Sequence, residues 1–217
     1  MAIDVAVAGG HGRIALRLLR LLAERGDRAR GLVRNPDHAP DLEAAGATAV
    51  EADLEALDPE AIASGIAGAD AVVFSAGAGP GSGPARKRTV DYGAAVKLID
   101  ACRAAGVARY LMVSAMGVHD PVARGPEMRP YYEAKLEADQ ALAASGLDYT
   151  IVRPGRLTDE RGTGLVQAAP RLERGGQITR DDVAATLLAC LGEPGTVGRE
   201  FDLLAGETSI AEAIAAV

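Results

Sequence analysis

The chain has 217 residues, 48% of them hydrophobic but only 3% aromatic, and tryptophan is absent. That length suits one α/β domain, whose core has to be built from Ala, Val, Leu and Ile. Lys plus Arg total 23 against 30 for Asp plus Glu, a net charge of −7, and no basic tract is available to neutralise phosphates, which argues against a nucleic-acid partner.

Ile3-Asp4-Val5-Ala6-Val7-Ala8 is short and β-branched and reads as a first strand. It runs into Gly9-Gly10-His11-Gly12-Arg13-Ile14-Ala15, then into an apolar-rich helical stretch through Leu16, Leu18, Leu19, Leu21 and Leu22, closed by Gly26. Strand, glycines and helix in that order are the context of a dinucleotide fingerprint. A pyrophosphate reaches the N–H groups of a helix N-terminus only where no Cβ intervenes. Gly9, Gly12 and Ala15 fit one register, and Gly10, Gly12 and Ala15 fit another. The sequence leaves both open.

Residues 28–33 form a second expected strand, ending Leu32-Val33-Arg34-Asn35-Pro36. A carboxylate at that tip prefers NAD, whereas arginine accommodates the extra phosphate of NADP. Arg34 stands there, and Arg13 in the glycine turn offers a second guanidinium for bidentate bonds, so NADP(H) is the expected cofactor. Residues 47–51 make a third strand. Asp53-Leu54 follows where an adenine would lie, and the Asp53 carboxylate can accept from the adenine amino group. Residues 71–74 are continuously apolar, as in a central parallel strand. The small residues Ser75, Ala76 and Gly77 then let ribose and pyrophosphate lie against the backbone, and 76–84 reads as a loop. Arg86-Lys87-Arg88 reads as a solvated helix start or a lid.

The fifth strand, 109–113, delivers Ser114, whose hydroxyl can orient a substrate carbonyl. His119, a few residues past Ser114, reads as a loop histidine, with a place on the substrate pocket as the alternative, and His11, His38 and His119 show no metal-ligand spacing, so no metal is expected. Tyr131 and Lys135 stand four apart and project from one helix face. An ammonium near a phenol favours phenolate, which would tune Tyr131 as an acid/base. Residues 149–152 are a sixth strand stopped by Pro154, 155–176 a loop, and 199–204 a seventh strand. Gly46, Gly106, Gly146 and Gly192 read as glycines just past helix ends, and Thr179 with Asp182 and Ser209 with Glu212 read as capping boxes.

Repeated βα units of this kind specify a doubly wound, mostly parallel sheet with helices on both faces. We expect one domain over 1–217, with 155–217 contributing substrate-side loops and C-terminal helices. Cys102 and Cys190 read as buried, reduced thiols. No stretch reaches the roughly eighteen apolar residues of a membrane span, and no leader pattern opens the chain, so the expectation is a cytoplasmic protein without a membrane partner. The oligomeric state stays open, a homodimer included.

Together the glycine turn, Val33-Arg34, Asp53-Leu54, Ser75-Ala76-Gly77, Val113-Ser114, Tyr131 to Lys135 and Arg153-Pro154-Gly155 resemble the short-chain dehydrogenase/reductase superfamily, most closely its atypical NmrA-like, NAD(P)-binding branch. The resemblance implies a Rossmann-type fold, substrate positioning by Ser114 and acid/base work by Tyr131. It also implies that Lys135 contacts the nicotinamide ribose and that Pro154 borders the nicotinamide pocket. Asp91 stands where extended members usually carry an asparagine of the proton relay. The leading expectation is an NADPH-dependent oxidoreductase acting on a small carbonyl or conjugated substrate. The alternative is a redox sensor or scaffold that binds NADP(H) without chemistry. A nucleotide-sugar epimerase or dehydratase is disfavoured, because little chain remains after Pro154 for a sugar-nucleotide domain.

Overall fold

Alternate residues of the central strands feed two separate interiors. In β1 (Asp4–Ala8) every residue is buried, with Val5 and Val7 in one apolar cluster and Ala6 and Ala8 in the other. The same parity recurs in β4 (Ala71–Phe74) and β5 (Arg109–Val113), where Val73 and Leu111 face one way and Phe74 and Met112 the other. Strands covered on both faces are apolar along their length once past the charged first residues Asp4 and Arg109, which is why they read as unbroken runs.

The computed structural model describes residues 2–79 and 81–217; Pro80, inside the expected loop 76–84, lies outside them. The remaining strands are β2 (Arg28–Val33), β3 (Thr48–Glu51), β6 (Asp148–Pro154), β7 (Arg156–Thr158), β8 (Leu165–Ala169), β9 (Gln177–Thr179), β10 (Arg199–Ala205) and β11 (Thr208–Ser209). Nine strands form one sheet in the order β11-β8-β10-β6-β5-β4-β1-β2-β3, and β7 pairs with β9 apart from it. Pairing is parallel from β3 through β10, and β8 joins antiparallel to β10 and β11. The sheet is doubly wound and Rossmann-like.

The helices are α1 (Arg13–Arg25), α2 (Ala39–Ala44), α3 (Pro59–Ile66), α4 (Gly83–Arg86), α5 (Ala95–Ala105), α6 (Arg129–Ala143), α7 (Arg180–Gly192) and α8 (Ile210–Ala215). α1, α7 and α8 cover one face, while α3, α5 and α6 cover the other. Leu18, Leu19 and Leu22 of α1 are fully buried, each contributing about 1.5–3 kcal/mol. A π-helical segment, Lys87–Ala94, joins α4 to α5 and buries Asp91.

Both N-caps form, though not as reciprocal boxes: Thr179 Oγ1 accepts from the Asp182 N–H at 3.0 Å and Ser209 Oγ from the Glu212 N–H at 3.4 Å, while the Asp182 and Glu212 carboxylates receive those hydroxyls. Gly26, Gly46, Gly106 and Gly146 end their helices with positive φ. Gly192 does not; it is the last residue of α7, and the extended Glu193 (φ −111°) stops the helix instead. The stretch 155–176 is also more ordered than a loop. It holds β7 and β8, whose pairing partners lie in later sequence and whose one or two inward residues are too few to display a period.

Cys102 and Cys190 are free and buried, and burial pushes both thiols from 9.0 to about 12. Neither should react with an aromatic disulfide reagent at pH 8 until denaturant is added, when two thiols per chain titrate. Unfolded thiols ionise near pH 9 while the folded ones keep their protons, so denaturant midpoints should fall as the pH rises from about 9 towards 12.

Candidate functional site

The chain leaves β1 for β2 on one side and resumes at β4 on the other, which opens a crevice at the carboxyl ends of β1 and β4. The glycine turn sits in it. Gly9 adopts φ +76°, and a Cβ there would lie 2.7 Å from the Ala76 Cα. A Cβ on Gly10 would lie 2.8 Å from the Gly31 Cα, backbone that cannot yield. Gly12 caps α1 and accepts from the Leu16 N–H at 2.9 Å. The N–H groups of Arg13, Ile14 and Ala15 therefore begin the helix without intrahelical partners. Packing alone requires glycine at both 9 and 10, so the backbone does not choose between the two registers. A turn with glycine at 9, 10 and 12 and with orphan donors at the start of α1 fits a diphosphate.

Around this turn the arginines are arranged differently from expectation. Arg13 turns away from Arg34 and pairs with Asp159 at 2.7 Å, a carboxylate that also receives Arg180 at 3.0 Å. The guanidinium beside Arg34 is Arg86, since both reach Glu55 Oε2, at 3.2 and 3.1 Å. Glu55 also accepts from Thr89 at 2.7 Å, and that bond with the two arginines holds its carboxyl below the usual range. His11 stacks on His38 with ring centroids 3.7 Å apart and bonds Asp41 at 2.7 Å. Asp53 caps its own turn, its Oδ1 accepting from the Glu55 N–H at 2.9 Å, and Leu54 is buried beside it. Ser75 continues β4 by donating to the Ala8 carbonyl at 3.0 Å, and Ala76 and Gly77 follow against the turn and Asp91.

On the other side of β4, Ser114 ends β5, its N–H bonded to the Val152 carbonyl at 2.8 Å. Ser114 and the half-buried Tyr131 and Tyr132 line a cavity of about 1090 Å³ with Pro154, His119 and Arg180. His119 is thus a cavity residue rather than a plain loop histidine. Lys135 lies beneath, only 3% exposed, 3.4 Å from Asp91 Oδ1 and donating to the Val113 carbonyl at 3.1 Å. The expected Lys135–Tyr131 tuning is therefore reversed: burial first, then the Asp91 charge, raise the Tyr131 phenol above its usual value. A phenol so placed holds its proton and can give it to an oxygen.

Two further groups belong to this layer. Asp139 continues the stripe Tyr131-Lys135 by another four residues, a spacing that could have revealed it. It bonds the fully buried Arg153 at 2.8 Å, and Arg153 also holds Glu200. Burial raises the Asp139 carboxyl; Arg153 and the facing Ser114 hydroxyl oppose that shift. Ser114 Oγ nevertheless lacks a hydrogen bond of good geometry. Replacing Lys135 with Met should cost about 3–5 kcal/mol in chemical denaturation, because Asp91 then stays buried without its cation. The double variant K135M/D91N should recover much of that loss.

The NAD(P)H-binding family profile matches residues 9–194. Over 211 residues the chain is 47% identical to an uncharacterised sugar epimerase, YhfK, of Bacillus subtilis, spanning 97% of this chain and 98% of that one. A structure from Bacillus halodurans, provisionally named an NAD-dependent epimerase/dehydratase, superposes with a TM-score of 0.94 at 38% identity over the full length of both chains. The anaerobilin reductase ChuY of Escherichia coli O157:H7 superposes at 0.77 with 25% identity over 93% of this chain and 97% of its own. With its glycine turn at the switch point of a Rossmann-like sheet, the chain belongs to the NAD(P)H-binding family.

Proposed function

We propose that the protein is an NADPH-dependent reductase of a small carbonyl or conjugated substrate. The observation that carries this reading is the placement of Ser114 and a proton-holding Tyr131 on a cavity at the same sheet edge as the glycine turn. NADPH, when bound, supplies the hydride. Ser114 Oγ orients the carbonyl, Tyr131 gives its proton to the oxygen that becomes an alcohol, and Lys135 braces the end of β5 through Val113. Gly9, Gly10, His11, Gly12, Arg13 and Ile14 would hold the diphosphate, with Asp53, Leu54, Ser75, Ala76 and Gly77 along the adenosine half and Lys135 and Pro154 near the nicotinamide.

A phenol raised in this way suits reduction, where the protonated form is needed at the outset. An epimerase cycle begins with the opposite demand, a base that removes a hydroxyl proton, although two relatives carry epimerase names. The oxidoreductase of Lactococcus lactis (TM-score 0.87, 28% identical) and the anaerobilin reductase fit the reductive reading by name.

Tyr131→Phe should leave NADPH binding unchanged and lower kcat by two or more orders of magnitude in a carbonyl and quinone panel followed at the NADPH absorbance. The wild-type rate of reduction should hold its plateau past pH 9. Unchanged turnover in the variant removes Tyr131 from the mechanism, and cofactor binding without any NADPH consumption selects the sensor or scaffold reading. For the cofactor, Arg34→Asp should weaken NADPH at least tenfold more than NADH by calorimetry. Equal weakening would refute the phosphate assignment.

A further inference from the structure

Asp202 is 4% exposed, yet it lines the cavity that holds Ser114 and Tyr131. Phe201 and Leu203 of β10 enter the cluster beneath α1 and α7, so Asp202 points from the opposite face, in register with Arg153 of β6. Its Oδ2 accepts from the Leu172 N–H at 2.9 Å. Its Oδ1, also buried, has no hydrogen-bond partner among the described residues. A buried carboxylate oxygen without a donor is costly, and such an atom calls for a ligand or a role.

Of the four arginines that line the cavity, Arg171 is exposed and the other three are engaged elsewhere. Arg180 is held by Asp159 at 3.0 Å, Arg156 by Gln177 at 2.6 Å, and Arg124 lies over Gly117 and the Tyr132 ring. Among the described residues Ser114 Oγ, which faces Asp139, is the other buried oxygen on this cavity without a hydrogen bond of good geometry. A hydroxyl can donate to a carbonyl, whereas a carboxylate only accepts. The pair therefore describes a ligand with an acceptor at one end and a donor at the other. The guanidiniums of Arg124, Arg156, Arg171 and Arg180 on the same walls disfavour an ammonium and leave a neutral N–H or O–H as the donor.

We propose that Asp202 is a specificity-determining residue that receives a neutral N–H or O–H of a substrate whose carbonyl faces Ser114 and Tyr131. This rests on the reductase reading of the same site. The test uses matched aldehydes that differ only in the donor: indole-3-carboxaldehyde against its N-methyl derivative, and 4-hydroxybenzaldehyde against 4-methoxybenzaldehyde. Wild-type protein with NADPH should favour the donor-bearing member at least tenfold in kcat/KM. In Asp202→Asn the Leu172 N–H claims the amide oxygen and the NH2 turns to the cavity, so the preference should level or invert while the NADPH Kd and Tm stay at wild-type values. Asp202→Ser serves as a second variant should the first not fold. If wild-type protein reduces none of the aldehydes, the reductase reading fails by itself. The same ratio is then read as Kd by saturation-transfer NMR on NADP-loaded protein. Equal values for both members of each pair in wild type, a preference that survives both variants, or no binding of any aldehyde overturns the assignment of Asp202.

Discussion

Where β1 ends, its backbone passes so close to the ends of β4 and β2 that side chains cannot fit between them. A Cβ on Gly9 would collide with Ala76, and one on Gly10 with Gly31. That double contact sets the depth of the crevice between β1 and β4, the direction in which α1 departs, and the exposure of its first three amide groups. Asp91 reaches the same place from the opposite side, accepting from the Ala78 N–H at 3.2 Å. The cofactor half and the cavity half of the molecule meet across this one backbone crossing.

A layer of buried charge lies on the cavity side of that crossing. Lys135 sits between Asp91 and the Val113 carbonyl, and Arg153 between Asp139 and Glu200. Replacing such pairs with apolar residues is often neutral for stability, whereas removing one member is severe. Their effect here is positional. They tie α6 and the π-helical segment to the ends of β5 and β6, which fixes Ser114 and Tyr131 on the wall of one cavity. They also hold negative charge near the Tyr131 phenol, which reinforces the effect of its burial.

The central fold was legible because parallel strands covered on both faces, such as Ala71–Phe74 and the stretch Tyr110–Val113 of β5, are apolar without interruption. The glycine turn was legible because its conformation admits few residue types. Ser114, Tyr131 and Lys135 also reached the expected edge of the sheet. What each of them touches was not legible. Lys135 answers to Asp91, which arrives through a π-helical segment, and Arg34 shares a carboxylate with Arg86 rather than a site with Arg13. These pairings join distant parts of the chain, and no local pattern announces them. β7 and β8 escaped for a related reason: three and five residues with polar neighbours give a strand only once a partner strand is beside them.

The strict parity of the inner strands has a consequence for how this chain can change length. Adding or removing a single residue within Asp4–Ala8 would send Val5 and Val7 beneath α3 and α5, and Ala6 and Ala8 beneath α1, exchanging bulky for small groups in both interiors at once. A change of length is tolerated instead in the excursions between strands. The excursion after β6 is pinched where the Arg156 N–H meets the Gly176 carbonyl at 2.9 Å, so the segments 159–164 and 170–175 on either side of β8 can lengthen without shifting the register of the sheet. The cavity wall can thus be rebuilt by extension, while the strands that carry the cofactor turn tolerate only exchange of one side chain for another.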